Sequence, residues 1–246
     1  MQFSGLASTD FSGGTAANML YYGGPIGLVA GLITQGAIEK HQQKKQKQLM
    51  QDEADRVLVP YQPTLSRFYY AELMQRALDA LSTDGSRVLL KNADPPGAGL
   101  TIECMPSFFM THGASALVLI NPILIHGANT SAKTPPMFKN VVKVVAAPRP
   151  PQEVGQEDSW ISDQGAELKL LAVEELRESL NLALTEAVQG FPSRSAEFKN
   201  VRYKEGDSAK IEHAQVLTEL PGHLVLKTLR GWIMSVPVMP AGGEEP

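Results

Sequence analysis

The sequence predicts an α+β protein: a mixed or antiparallel sheet with two main helices on one face, preceded by a glycine-rich apolar N-terminal helix. Three observations carry this. Apolar residues recur at helical spacing over 65–81 and again over 163–189. Apolar, β-branched runs punctuated by Gly and Pro fill 87–147 and 199–238. Apolar residues make up 43% of the chain and charged residues 20%, a balance that supports a buried core and argues against disorder of the whole. The order is helix, strands, helix, strands, and the division read from it is an irregular stretch 1–18, a glycine-spaced apolar and then polar segment 19–58, an α+β domain 59–240 and a tail 241–246.

In chain order, residues 1–18 are small and polar and read as irregular. No charge occurs between Asp10 and Glu39, and the gap holds MLYYGGPIGLVAGLITQGAI, residues 19–38. On a helix, Gly23, Gly27 and Gly31 share one face and let a second backbone approach closely, while Leu28, Val29, Leu32 and Ile33 fill the other faces. Pro25 fits best in a first turn, and a helix starting there has about fourteen residues before Glu39, too few to span a bilayer. Two readings stand: a glycine-zipper helix packing in a membrane or an oligomer, or a buried hairpin-like segment of the core. Residues 39–57 are rich in Gln and Lys and read as a solvated continuation of that helix, or as a basic collar in which Lys40, Lys44, Lys45 and Lys47 meet anionic lipid.

Pro60 and Pro63 break the chain, and Thr64 can cap a helix whose apolar face is Leu65, Phe68, Tyr69, Leu73, Ala77 and Leu81. The strand runs RVLL, GLTIECM, SFFMTH, ALVLINPILIH and FKNVVKVVAAP follow, with ALVLINPILIH read as a pair of strands. After a polar, Pro-containing connection, Leu168, Leu171, Leu176, Leu180, Ala183, Leu184, Ala187 and Val188 form the stripe of a helix over 163–189. Ser162 or Asp163 would cap it, and Gly190 and Pro192 would stop it. KNVRYKEG, AKIEHAQVL, HLVLKTL and GWIMSVPV return to strands, with turns at Glu205-Gly206-Asp207 and Pro221-Gly222.

No phosphate loop, dinucleotide fingerprint, nucleophile elbow, zinc-protease or paired-cysteine motif is present, so the chain reads as non-enzymatic, with no cofactor and no metal. A formal net charge of −4 disfavours nucleic acid as a partner. Cys104, the single cysteine, reads as a small core residue. The five histidines include no pair at the i, i+2 or i, i+4 spacing of a metal site. The acidic groups Glu153, Glu157 and Asp158, and Glu174, Glu175 and Glu178, read as a loop and a solvated helix face, and Trp160 and Trp232 as packing anchors. A ligand pocket between strands would draw on His112, His126 and Asn129.

The succession ALVLINPILIHG, FKNVVKVVAAP, EDSWISDQGAEL and a long helix, sharpest at Trp160, Asp163, Gly165 and Leu168, resembles a group of uncharacterised proteobacterial envelope proteins and small lipoproteins. Their domain is similar to that of curli-secretion-like and Tol-like periplasmic accessory proteins, and the resemblance covers roughly residues 20–238. It implies a periplasmic or membrane-bound scaffold, with a homo-oligomer or envelope protein as partner and a membrane surface within reach, and it implies no reaction. The N-terminus lacks the basic and apolar regions of a leader and the chain lacks a lipobox cysteine, a departure from that group. The function expected is therefore a non-catalytic, envelope-associated structural or interaction protein. A soluble module for a small, lipid-like ligand is the alternative, and a hydrolase comes last.

Overall fold

The computed structural model describes residues 2–6, 49, 51–81, 87–90, 99–128, 134–150, 158–191 and 197–239. The glycine-spaced segment 19–38, most of the Gln/Lys-rich run, Asn129 and the tail 241–246 lie outside these residues. The described chain is a mixed α+β structure with one large mixed sheet and three α-helices. Its strands are β1 (Gln2–Gly5), β2 (Thr101–Cys104), β3 (Ser107–Met110), β4 (Leu117–His126), β5 (Phe138–Val145), β6 (Lys199–Glu205), β7 (Ser208–Leu220), β8 (His223–Thr228) and β9 (Ile233–Pro237). Its helices are α1 (Gln62–Leu65), α2 (Tyr70–Asp79) and α3 (Ala166–Val188). The sheet runs β1-β3-β4-β5-β9-β8-β7-β6, with β2 also on β4. The β1/β3 and β5/β9 pairs are parallel and the rest antiparallel.

β4 is one ten-residue strand where the sequence suggested two. Pro122 does not break it. The Pro122 carbonyl accepts from the Met105 N–H at 3.1 Å, so the N–H that proline lacks also faces Met105, in the gap between β2 and β3. Only one ladder bond is forgone, and β2 and β3 keep a single register along β4. Leu117, Leu119, Ile123 and Ile125 of β4 face the helices, where Leu73, Ala77, Leu168, Leu176 and Leu180 close the main core. Val118 and Ile120 face the other side. That side is concave: Lys143 of β5 forms an ion pair with Glu205 of β6, although the two strands lie four places apart in the sheet order, roughly 19 Å on a flat sheet.

Several boundaries differ from expectation. Gln2–Gly5 is a strand, not irregular chain, because Phe3 stacks on Phe108 at 5.0 Å and meets Phe68 edge-on at 5.4 Å. The helix expected over 65–81 is split into α1 and α2: Tyr69 is extended, and Phe68 leaves the helical stripe to pack on Phe3. Thr64 lies buried inside α1 and caps nothing. Residues 87–90 are not a strand, and Val88 is 71% exposed. Neither Ser162 nor Asp163 caps α3 with its side chain. The chain enters α3 through a 3-10 turn whose residues Asp163, Gln164 and Gly165 all have positive φ. Leu168, Leu176, Leu180 and Ala183 are buried as the stripe predicted, whereas Val188 is exposed.

α3 packs on β4, β5 and α2. Its start is fixed by one network. The Asp158 carboxylate accepts hydrogen bonds from Tyr61 (2.5 Å), Arg149 (2.7 Å) and the Trp160 backbone N–H (2.9 Å). Arg149 also lies 4.2 Å over the buried Trp160 ring. Burial pushes the Asp158 carboxyl up, but the Arg149 and Tyr61 hydrogen bonds outweigh it and hold the group down at about 2. The residue expected in an acidic loop is thus an anchor, and Trp160 is the packing residue the sequence suggested.

Gly165 meets two demands at once. Its φ is +76°, and a Cβ there would stand 2.1 Å from Thr64 Cγ2. Gly165→Ala should cost about 1–2 kcal/mol for the left-handed backbone and about 1–3 kcal/mol for overpacking, read as a lower denaturation midpoint. Adding Thr64→Ser, which removes Cγ2, should restore the second part alone. An unchanged midpoint in Gly165→Ala would contradict this packing.

Candidate interaction edge

The two ends of the sheet are finished differently. At one end, the Gly5 N–H donates to Asp55 Oδ1 at 2.6 Å and Gln51 Nε2 donates to the Gly5 carbonyl at 3.0 Å. Gln51 also donates to Asp55 at 2.8 Å, so the helical stretch 51–55 answers both backbone groups of β1 at this point. The approach is so close that a Cβ on Gly5 would fall 1.7 Å from the Ala54 carbonyl oxygen. At Gly5 that edge is covered. At the other end, β6 pairs with β7 on one side, and no strand among the described residues pairs with its other side.

β6 holds its place through its inward face. Val201, Tyr203 and Glu205 are buried and alternate with exposed Asn200, Arg202 and Lys204. Glu205 pairs with Lys143 in a site where both side chains are largely withdrawn from solvent, and Lys143 lies 6.0 Å over the Tyr203 ring. Burial, then Glu205 and Glu212, push the Tyr203 hydroxyl well above its ordinary value, so it stays neutral. The hairpin tip is pinned as well: Gly206 has φ +60°, and a Cβ there would stand 2.7 Å from Thr111 Oγ1 and 2.8 Å from Ser115 Oγ. The turn at Glu205-Gly206-Asp207 is where the sequence put it, and the loop that receives it could not be read from sequence.

At the start of β6 lies an open cleft of about 670 Å³, floored by Val201, Val216 and Leu224 and rimmed by Lys199, Arg202 and Glu219. Phe198 is 40% exposed and stacks on His213 at 6.0 Å, and Ile211, opposite Arg202 on β7, is 60% exposed. Backbone edge, apolar floor and charged rim thus stand together. Nothing in the sequence singled out this place, because the signal is the absence of a neighbouring strand among the described residues.

The structure does not bring His112 and His126 together. His112 lies exposed in the turn between β3 and β4, and His126 ends β4 on the far side. The length of β4, roughly 30 Å, separates them. His126 Nε2 is 3.5 Å from Glu103 Oε1 on β2. Asn129 and the zipper residues Gly23, Gly27, Gly31, Leu28 and Leu32 fall outside the described residues. Cys104 is half-buried beside the Tyr70 hydroxyl at 3.7 Å, and burial pushes its thiol up, the wrong direction for a nucleophile. His223 Nδ1 approaches both Ser235 Oγ (2.9 Å) and Glu178 Oε1 (3.8 Å). A catalytic relay needs the two ring nitrogens for the two partners, and Ser235 is fully buried. Among the described residues no three potential ligands group to hold a metal, and no helix is long and apolar enough to cross a membrane.

Glu175 corrects the reading of a solvated acidic face. It is 3% exposed, neither carboxyl oxygen has a hydrogen-bond partner, and burial, then Glu178, push its carboxyl well above the ordinary value. Replacing it with Leu should stabilise the fold by about 1–3 kcal/mol at neutral pH, because an unsatisfied polar group is removed. The native state keeps this proton to higher pH than the unfolded chain does. The contribution is therefore fully present below the unfolded value and is lost as pH rises through the native one. Denaturation across a pH series should show that decline in the natural chain and its absence in Glu175→Gln.

Compared with known proteins, the chain matches no family model, no curated protein and no solved structure.

Proposed function

We propose that this chain is a non-catalytic interaction protein of the bacterial envelope whose α+β domain accepts a partner's extended segment along β6. The observation that carries the reading is the asymmetry of the sheet: Asp55 and Gln51 occupy the backbone groups of Gly5 at one edge, and among the described residues β6 has a single strand partner at the other. A sheet edge supplies main-chain hydrogen bonds to an added strand, and the adjoining cleft supplies the pocket for a side chain. The inward face of β6 is tied down by Glu205 and Lys143, so the edge is presented in a fixed geometry and little ordering is needed on binding. The envelope setting rests on the resemblance carried by Trp160, Asp163, Gly165 and Leu168.

The segment carrying Gly23, Gly27 and Gly31, with Leu28 and Leu32, has the second role in this proposal: contact with a membrane or with a further copy of the chain. A small apolar ligand in the cleft is the second reading, supported by a volume within the usual range of about 300–1,000 Å³ for ligand sites.

Two experiments test these roles. Hydrogen exchange on the full chain, with and without extended peptides of alternating apolar and polar residues, should show slowed exchange in residues 199–205 on binding. Protection confined to other strands would refute the edge. A fatty acid that stabilises the protein while leaving the β6 amides unprotected would favour the ligand reading. For the N-terminal segment, Gly27→Leu with Gly31→Leu should reduce oligomer size or retention in carbonate-washed membranes. Unchanged size and partition would rule out the zipper.

A further inference from the structure

From the chemistry of this edge we infer that the partner segment is acidic: an extended stretch alternating carboxylate and apolar side chains. The inference rests on the reading of β6 as a docking edge and adds the class of partner. Lys199, Arg202 and Lys204 are exposed on this short strand, while its one acidic residue, Glu205, is turned inward and neutralised by Lys143. Among the described residues none of the three cations is in an ion pair. A row of like charges on a sheet edge opposes pairing with a second copy of the same strand, a common device against self-association. The same row favours a strand of opposite sign, because side chains directly across a ladder interact and opposite charges there are stabilising.

The side chains around the edge define the pattern further. Arg202 and Lys204 project from one face of β6 and Lys199 from the other, beside buried Val201. Ile211 lies across from Arg202 on β7, and Val216 and Leu224 floor the cleft below Lys199. An added strand would therefore set carboxylates toward Arg202 and Lys204 on one face. On the other it would set an apolar side chain into the cleft. Glu219 on the cleft rim opposes a carboxylate at that position, so the apolar side chain belongs there.

The test uses the full chain and three short synthetic peptides that alternate valine with glutamate, with glutamine or with lysine. Affinity is followed by fluorescence anisotropy and the site by hydrogen exchange. The glutamate peptide should bind at least about tenfold more tightly than the glutamine peptide, because opposite charges across a ladder are stabilising. It should also slow exchange in residues 199–205 and weaken as salt is raised. The lysine peptide should not bind. Exchanging Lys199, Arg202 and Lys204 together for Glu should reverse the preference. The same three positions changed to Gln, which keeps the surface polar in case the reversed variant fails to fold, should abolish it. Equal protection of β6 by the glutamate and glutamine peptides would overturn the charge preference and leave the docking edge standing. Absence of β6 protection with any peptide would overturn both, and concentration-dependent protection of β6 by the chain itself would replace the acidic partner with a second copy.

Discussion

Burial of β4 on both faces is the constraint on which the rest of the molecule depends. From Leu117 to Ile123 every residue is buried, and the strand is paired on both sides, with β2 and β3 along one edge and β5 along the other. A strand in this position needs two separate apolar layers. The helices supply one. The other has no helix among the described residues, and the sheet makes it by bending β6 and β7 over its own concave side. Curling brings Lys143 and Glu205 together, because a strand bent across a core carries its polar residues inward with its apolar ones. Their pairing resolves a charge conflict that the bending itself creates. Either residue alone in that setting would be an uncompensated buried charge, so the two are best regarded as conditions of the curl and weakly as sources of stability.

The helix layer depends in turn on Asp158. Its carboxylate gathers a donor from the segment before α1, one from the stretch after β5 and one from the turn leading to α3. Tyr61, distant in sequence, thus meets the connection between β5 and α3 at one anion, with the Trp160 ring shielding Arg149 from solvent on one side. The left-handed turn through Gly165 then aims α3 across β4 and β5. α3 also carries polar residues into the core. Ser179 accepts from Asn121 of β4 at 3.0 Å and donates to the Leu176 carbonyl, a linked pair that fixes the helix at one depth along the strand. Glu175, one turn earlier, has no such partner, and there the layer gives up stability.

How much of this the sequence disclosed follows from the range of each interaction. Periodicity is local, so α3, the hairpin strands and the turns at Gly206 and Gly222 were legible. So was the burial of Leu168, Leu176 and Leu180. Pro122 misled because its effect on a strand depends on what faces its missing N–H, a tertiary fact. Phe3, Phe68 and Asp158 misled for the same reason: each acquires its role from a residue far along the chain. Glu175 was assigned to a solvated face because its neighbours Glu174 and Glu178 are acidic too. One step along a helix turns a side chain by 100°, and here that separates the exposed Glu174 from the core. His112 and His126 looked like neighbours because each closes a strand before a glycine, but an antiparallel meander puts successive strand ends at opposite edges of the molecule.

The interaction edge was the least legible feature because it is defined by what does not pair. Composition marks β6 as an ordinary amphipathic strand, and only the strand order of the described residues shows it at the end of the sheet. The contrast with β1 gives that position its meaning. β1 is short, contributes only four residues, and still has Gly5 covered from both its N–H and its carbonyl. β6 is longer, is pinned from beneath, and carries cations where β1 has helical cover. Two solutions to one hazard in a single sheet imply different requirements at the two edges. A physical cap closes an edge to every strand. A row of like charges closes it to copies of itself and to basic segments while leaving the backbone accessible to an acidic one, so among the described residues the β6 edge is left selectively open.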